Sequence, residues 1–209
     1  MDHSKQIAAH LLQCKAIKLQ PDNPFTWASG WKSPIYCDNR KTLAFPLVRN
    51  YIKNAFCEII NENFPEYDVI AGVAMGAIAQ GVLVADILSK PFCYIRSAPK
   101  DHGLTNLIEG DLMPNQKVII IEDLISTGGS SLKAVEAVRN AGAIVIGMAA
   151  IFTYGFQIAI DGFVNARVKL ITLSNYETLI KQAVETGIIE NEQAEILKKW
   201  RESPEKWGK

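Results

Sequence analysis

Two acids, Glu122 and Asp123, precede Leu124 and Ile125, and then come Ser126, Thr127, Gly128, Gly129 and Ser130. Glycines let backbone N–H groups approach an anion, hydroxyls add donors, and a helix beginning here would offer the positive end of its dipole. Ser130 or Ser131 is placed to cap that helix. No Lys-Ser/Thr pair follows the glycines, so this is not a P-loop, and the spacing is not G-x-G-x-x-G. Acids beside a phosphate cradle suit a ligand with hydroxyls or developing positive charge next to its phosphate, which describes a ribose 5-phosphate. A second group, Arg96, Lys100 and His102, gathers cations suited to a polyanion that is bound, covered and released. The plainer alternatives are a strand–turn–helix with solvated acids and a solvated charged loop.

The elements that must position these residues follow from periodicity. Val118–Ile121 is an unbroken β-branched run, expected as a strand buried on both faces that ends at the acids. Leu132, Val135 and Val138 set a helical period behind the glycines, and Gly142 ends it. Before the motif, residues 3–19 form an amphipathic pattern, and 25–40 suggest a hairpin around Ser29-Gly30. Pro46 starts a helix to about Phe64. Tyr67–Ala71 reads as a short strand, residues 72–81 as a turn opening a helix to Leu88, and Phe92–Ile95 as another strand. Residues 97–116 show no period, as expected of a functional or disordered segment. Beyond the motif come a strand at Ala143–Ile151, a connection at Tyr154–Phe156, a strand at Val168–Leu173, helices near 176–186 and 191–200, and a frayed tail from Glu202. Strands alternating with helices imply a mostly parallel sheet flanked by helices. Its carboxyl edge would collect Ala71–Gly76, Arg96–Gly103, Glu122–Ser130 and Phe152–Gly155.

Composition bounds the rest. The 209 residues suit one α/β domain with an accessory segment. Charge balances at 22 basic and 22 acidic residues, giving no global case for nucleic acid or membrane. Cys14, Cys37, Cys57 and Cys93 form no C-x-x-C pair and fit free thiols in a reducing cytoplasm. The N-terminus lacks a signal-peptide core, and the longest apolar run, Ala143–Phe152, is too short to span a bilayer.

Four stretches in order carry a family resemblance. Residues 118–131 resemble the phosphoribosyl-diphosphate (PRPP) signature of type I phosphoribosyltransferases. YIRSAPKDHGLTNLIEG (94–110) resembles the catalytic loop of orotate phosphoribosyltransferase, FTWASGWKSPIYCD (25–38) its orotate-side hairpin, and IAGVAMGAIA (70–79) its pyrophosphate-side loop. The resemblance implies the type I phosphoribosyltransferase fold with a small N-terminal hood: about 1–45 helix and hairpin, about 46–175 PRPP-binding core, about 176–209 C-terminal helices. It implies transfer of the phosphoribosyl group from PRPP to orotate, giving orotidine 5′-monophosphate and pyrophosphate. Mg²⁺ would be held mainly by PRPP and pyrophosphate oxygens, with no dedicated protein metal site. A homodimer is implied, with loop 97–110 mobile when free and contributed in trans.

By position, the resemblance makes Lys100, Glu122 and Asp123 catalytic. Arg96, Lys100 and His102 would contact the diphosphate, Glu122 and Asp123 would lie under the ribose hydroxyls, and Leu124, Ile125, Ser126, Thr127, Gly128, Gly129 and Ser130 would wrap the 5-phosphate. Ser126 would also reach the orotate. Ala28 and Gly76 stand where many or some members have Lys, and Thr153-Tyr154-Gly155 where an Arg often meets the orotate carboxylate. In its place the expected donors are Lys32, the backbone N–H groups of Tyr36 and Cys37, and the Tyr154 hydroxyl. The competing readings are a phosphoribosyltransferase for another base, and a PRPP-sensing regulator that binds nucleic acid.

Overall fold

A computed structural model describes residues 2–26, 30, 32–98 and 107–207. Helix α1 (Ser4–Gln13) leads into β1 (Ile17–Leu19), and β2 (Phe25–Thr26) and β3 (Lys32–Ser33) form a two-stranded ribbon. Strand β4 (Ile35–Cys37) and a 3₁₀ turn (Asn39–Ala44) complete the N-terminal hood. Then follow α2 (Pro46–Asn63), β5 (Val69–Val73), α3 (Ile78–Leu88), β6 (Phe92–Ile95), β7 (Ile108–Glu109), β8 (Lys117–Ile125) and α4 (Gly129–Asn140). Strand β9 (Ile144–Thr153), α5 (Gln157–Asn165), β10 (Leu170–Asn175), α6 (Tyr176–Glu185) and α7 (Asn191–Glu202) close the chain.

The main sheet runs β10-β9-β8-β5-β6-β7, parallel except for β7. Its centre is the β-branched run, and Val118, Ile119, Ile120 and Ile121 are wholly buried. Ile119 and Ile121 face a cluster built with α1, α2, α3, α6 and α7, while Val118 and Ile120 face α4 and α5. Alternation along one strand thus feeds two cores, as expected for a sheet covered on both faces. Strand order reverses between β8 and β5, because the chain steps one way from β5 to β6 and the other way from β8 to β9 and β10.

Several expectations are corrected. The first helix stops at Gln13 because Lys15 turns the chain with φ +55°, and Ile17–Leu19 then pairs with Ile35–Cys37. The stretch read as one hairpin is therefore split: β2 pairs with β3, but β4 pairs with β1. The period-free stretch contains β7, and a helix the sequence did not announce, α5, follows Phe156. The tail is not wholly frayed, since Trp207 packs against the larger core. Among the described residues no helix is long and apolar enough to cross a membrane.

Gly147 in β9 lets Phe64, just past the end of α2, lie against the sheet. A β-carbon there would strike the Phe64 ring and sit 2.9 Å from the Lys169 carbonyl oxygen. Gly147→Ala should cost about 1–3 kcal/mol through overpacking, lowering the thermal midpoint by several degrees at roughly 2–4 °C per kcal/mol for a chain of this size. Calorimetry reads it, and an unchanged midpoint would mean that Phe64 repacks freely.

Candidate functional site

Strand β8 does not end at the acids. It pairs with β5 only as far as Gly72–Ile121 but continues along β9 through Glu122–Ala150 and Leu124–Phe152 to Ile125–Thr153. The last turns of β8 therefore project past β5 with one edge uncovered, at the point where strand order reverses, the usual ligand crevice of such sheets. A cavity of about 430 Å³ lies there, within the range of small-molecule sites. Its floor is Glu122–Leu124, one end Ser126–Gly128 and Ser130, one wall Val73–Gly76, and the other wall Cys37, Asp38 and Arg40. A larger groove of about 870 Å³ between α6, α7 and the turn after β9 contains neither the acids nor the glycine turn.

The glycine turn leads directly into α4. Gly128 has φ +81° and is the N-cap of α4, and no side chain caps that helix. Ser130 and Ser131 thus do not cap it, and the first N–H groups of the helix keep no intrahelical partner. Ser131 turns inward instead, its hydroxyl donating to Glu122 Oε2 at 2.9 Å.

The two acids differ. Glu122 is only 4% exposed, and its Oε1 accepts the Asp123 N–H at 3.0 Å. Burial, reinforced by the neighbouring Asp123 charge, pushes the Glu122 carboxyl well above the ordinary carboxylate range. Its oxygens are thus engaged within the protein, and although both acids line the cavity, Asp123, half-buried, is the more exposed of the two. Asp123 stands against Gly76, where a β-carbon would collide with its carboxylate. Glycine at 76 is therefore a close-approach residue that brings the β5–α3 turn onto the acid. The Ala74–Met75 peptide in that turn is cis.

The hood is tied to this floor. Asn39, 2% exposed, donates Nδ2–H to the Asp123 carbonyl at 2.6 Å and accepts the Cys37 thiol at 3.4 Å. Asp38 Oδ1 accepts Arg40 Nε–H at 2.7 Å, and this ion pair holds the Asp38 carboxyl below its usual range. Bonds from Gln20 N–H to Pro34 and from Asp38 N–H to Ala16 flank the β1–β4 ladder. By antiparallel alternation the Tyr36 N–H points into β1, whereas Cys37 turns its N–H away from β1. Of the two backbone donors expected from sequence, only Cys37 is oriented away from the ladder.

The other expected residues are dispersed. Lys32 donates Nζ–H to Thr26 Oγ1 at 2.8 Å within the ribbon and does not line the cavity. Tyr154, just past β9, is buried among Phe152, Phe156, Tyr176 and Trp200 and is not among the cavity-lining residues. Arg96, at the end of β6, pairs with Glu109 at 3.4 Å and does not line the cavity. Ile125 is buried, its carbonyl accepting the Tyr154 N–H at 3.0 Å, so it shapes the turn from behind. Lys100 and His102 lie outside the described residues. Sequence reasoning missed Asp38, Asn39 and Arg40; the one signal was polar residues placed directly after an alternating strand.

Residues 44–171 match the model of the phosphoribosyl transferase domain. The chain is 61% identical over 204 residues to the orotate phosphoribosyltransferase of Porphyromonas gingivalis, covering 98% of this chain and 97% of that one. It is 51% identical over 209 residues to that of Cytophaga hutchinsonii, covering both chains completely. The crystal structure of orotate phosphoribosyltransferase from Aeropyrum pernix superposes with a TM-score of 0.77 at 24% identity, covering 88% of this chain and 99% of that one. That structural likeness speaks for the fold.

A carboxyl whose folded pKa is raised stabilises the fold fully at low pH. That contribution is lost as pH climbs from the ordinary carboxylate range through the raised folded value. Glu122→Gln removes the titration. In denaturant unfolding at pH 5, 6.5 and 8, the variant should gain on the native protein with rising pH by at least about 1 kcal/mol, the worth of a one-unit shift. A difference independent of pH would remove the buried carboxyl from this account.

Proposed function

The chain belongs to the orotate phosphoribosyltransferases, and from that premise we propose how its cavity carries out the family reaction, transfer of the 5-phosphoribosyl group from PRPP to orotate with release of pyrophosphate. The single observation that carries the reading is the uncovered end of β8, which sets Asp123 between a glycine-built helix N-terminus and a close-packed Val73–Gly76 turn.

Ser126–Ser130 take the 5-phosphate, with hydroxyls and uncapped N–H groups as donors. Asp123 lies under the ribose, where cleavage of the C1–O bond builds oxocarbenium-like charge, and a carboxylate stabilises charge best where it develops. Glu122 supports it from behind through the Asp123 N–H and Ser131. The Val73–Gly76 turn borders the pyrophosphate, and Arg96, Lys100 and His102 are assigned to the diphosphate by resemblance. Ser126 sits at the junction from which a hydroxyl reaches the base.

Among the described residues no cluster of three His, Cys, Asp or Glu side chains could hold a metal. The hard oxygen donor Asp123 on the cavity floor nonetheless fits a Mg²⁺ ion that substrate oxygens mainly hold. When bound, that ion would neutralise charge on the departing pyrophosphate. We read the chain as one catalytic domain with an N-terminal hood at about 1–45, a PRPP-binding core at about 46–175 and C-terminal helices at about 176–209. It acts in the cytoplasm, consistent with four free cysteines, and as a homodimer whose loop 97–110 completes the neighbouring site.

Asp123→Asn should keep the fold and lower kcat by about two orders of magnitude or more, with a much smaller change in PRPP affinity, because the lost charge matters most in the transition state. Pyrophosphate-release kinetics with a panel of free bases test both this and the substrate; native turnover in the folded variant removes Asp123 from the chemistry, and preference for a purine removes orotate. For the loop, inactive Lys100→Ala and Asp123→Asn chains should recover activity when mixed, since one site of each heterodimer then holds both native groups. No recovery after verified subunit exchange would assign the loop to its own chain's site.

A further inference from the structure

Orotate carries a carboxylate into the site that uracil and the purine bases lack. A carboxylate withdrawn from water needs a cation or several N–H donors. Among the described residues lining the cavity, the one cation is Arg40. The other surfaces are matched to other parts of the substrates: the glycine turn to the 5-phosphate, Asp123 to the ribose, and the Val73–Gly76 turn to pyrophosphate. What remains for the base is the wall of Cys37, Asp38 and Arg40.

That wall is built and oriented. Asn39 fastens it to the Asp123 carbonyl, directly beneath the proposed ribose position, so Arg40 leaves the chain one residue from the floor of the site. Asp38 accepts the Nε–H of Arg40 at 2.7 Å, which fixes the guanidinium plane. Lys32, the cation expected from sequence, is held by Thr26 away from the cavity. The end of β9 offers Thr153, whose hydroxyl accepts the Gly155 N–H at 3.0 Å, and a buried Tyr154.

We propose that Arg40 is the specificity-determining residue, its guanidinium receiving the orotate carboxylate while Asp38 holds it in place. The assignment rests on the reading of this cavity as the PRPP–orotate site. Arg40 is 60% exposed, so it waits hydrated and gains strength as the base covers it. A planar fork matches a carboxylate in a way that an ammonium does not.

Steady-state kinetics of Arg40→Gln, Arg40→Lys and Asp38→Asn test this, with orotate, uracil and PRPP each varied. Arg40→Gln should lose roughly ten- to a hundredfold in kcat/KM for orotate, the range of one charge-assisted hydrogen bond. Its KM for PRPP and its slow rate with uracil should stay within about twofold, so the orotate-to-uracil ratio collapses. Arg40→Lys should recover part of the loss and Asp38→Asn should fall between, with the thermal midpoints of the Arg40 variants unchanged because that side chain is 60% exposed. An unchanged orotate-to-uracil ratio in Arg40→Gln, or a loss expressed in the KM for PRPP, would overturn the assignment. A native protein that releases no pyrophosphate with orotate would instead reject the underlying reading, so the two failures are distinguishable.

Discussion

The structure depends on a mismatch in strand length at the reversal of strand order. Strand β5 ends at Val73, while β8 runs on to Ile125 with β9 as its only strand neighbour among the described residues. Backbone groups and side chains on that uncovered edge must find partners outside the sheet. The Asp123 carbonyl finds one in the hood, where it accepts from Asn39, and the Asp123 carboxylate lies against Gly76 in the β5–α3 turn. Had β5 been as long as β8, the edge would be paired and the crevice closed.

This arrangement separates two adjacent acids that sequence treats as a pair. Successive residues of a strand point to opposite faces. Glu122 thereby turns its oxygens to Ser131 and the Asp123 N–H, while the less buried Asp123 shares the cavity lining with it. The inner acid is dehydrated and holds its proton more tightly; the outer acid keeps access to a ligand. One serves as a strut for the turn and the other remains available for chemistry, although they differ by a single methylene.

The base-side wall is held at a distance. The Trp200 indole donates to the Lys32 carbonyl at 3.2 Å, and Arg201 donates to the carbonyls of Tyr154 and Gly155 at 2.9 and 3.0 Å. Gly155 leaves room for that guanidinium, since a β-carbon would lie 2.9 Å from it. Helix α7 thus ties the β2–β3 ribbon and the turn after β9 into one body. The C-terminal helices belong to the architecture around the cavity even though its floor lies elsewhere.

The sequence by itself determined the parallel sheet and the family, because each rests on local pattern: Val118–Ile121 as a two-faced strand, the adjacent Gly128 and Gly129, and the period change into α4. Periodicity is a property of neighbouring residues, and it reads well over long elements. Which side chains share the cavity was decided only by tertiary structure. Tyr154 is buried just past β9, Lys32 is taken by Thr26, and the Tyr36 N–H by β1. Arg40, 83 positions from Asp123 along the chain, reached the site because Asn39 bonds a carbonyl that exists as an acceptor only where β8 outruns β5. Such a contact has no local signature, since it depends on where two strands of unequal length stop.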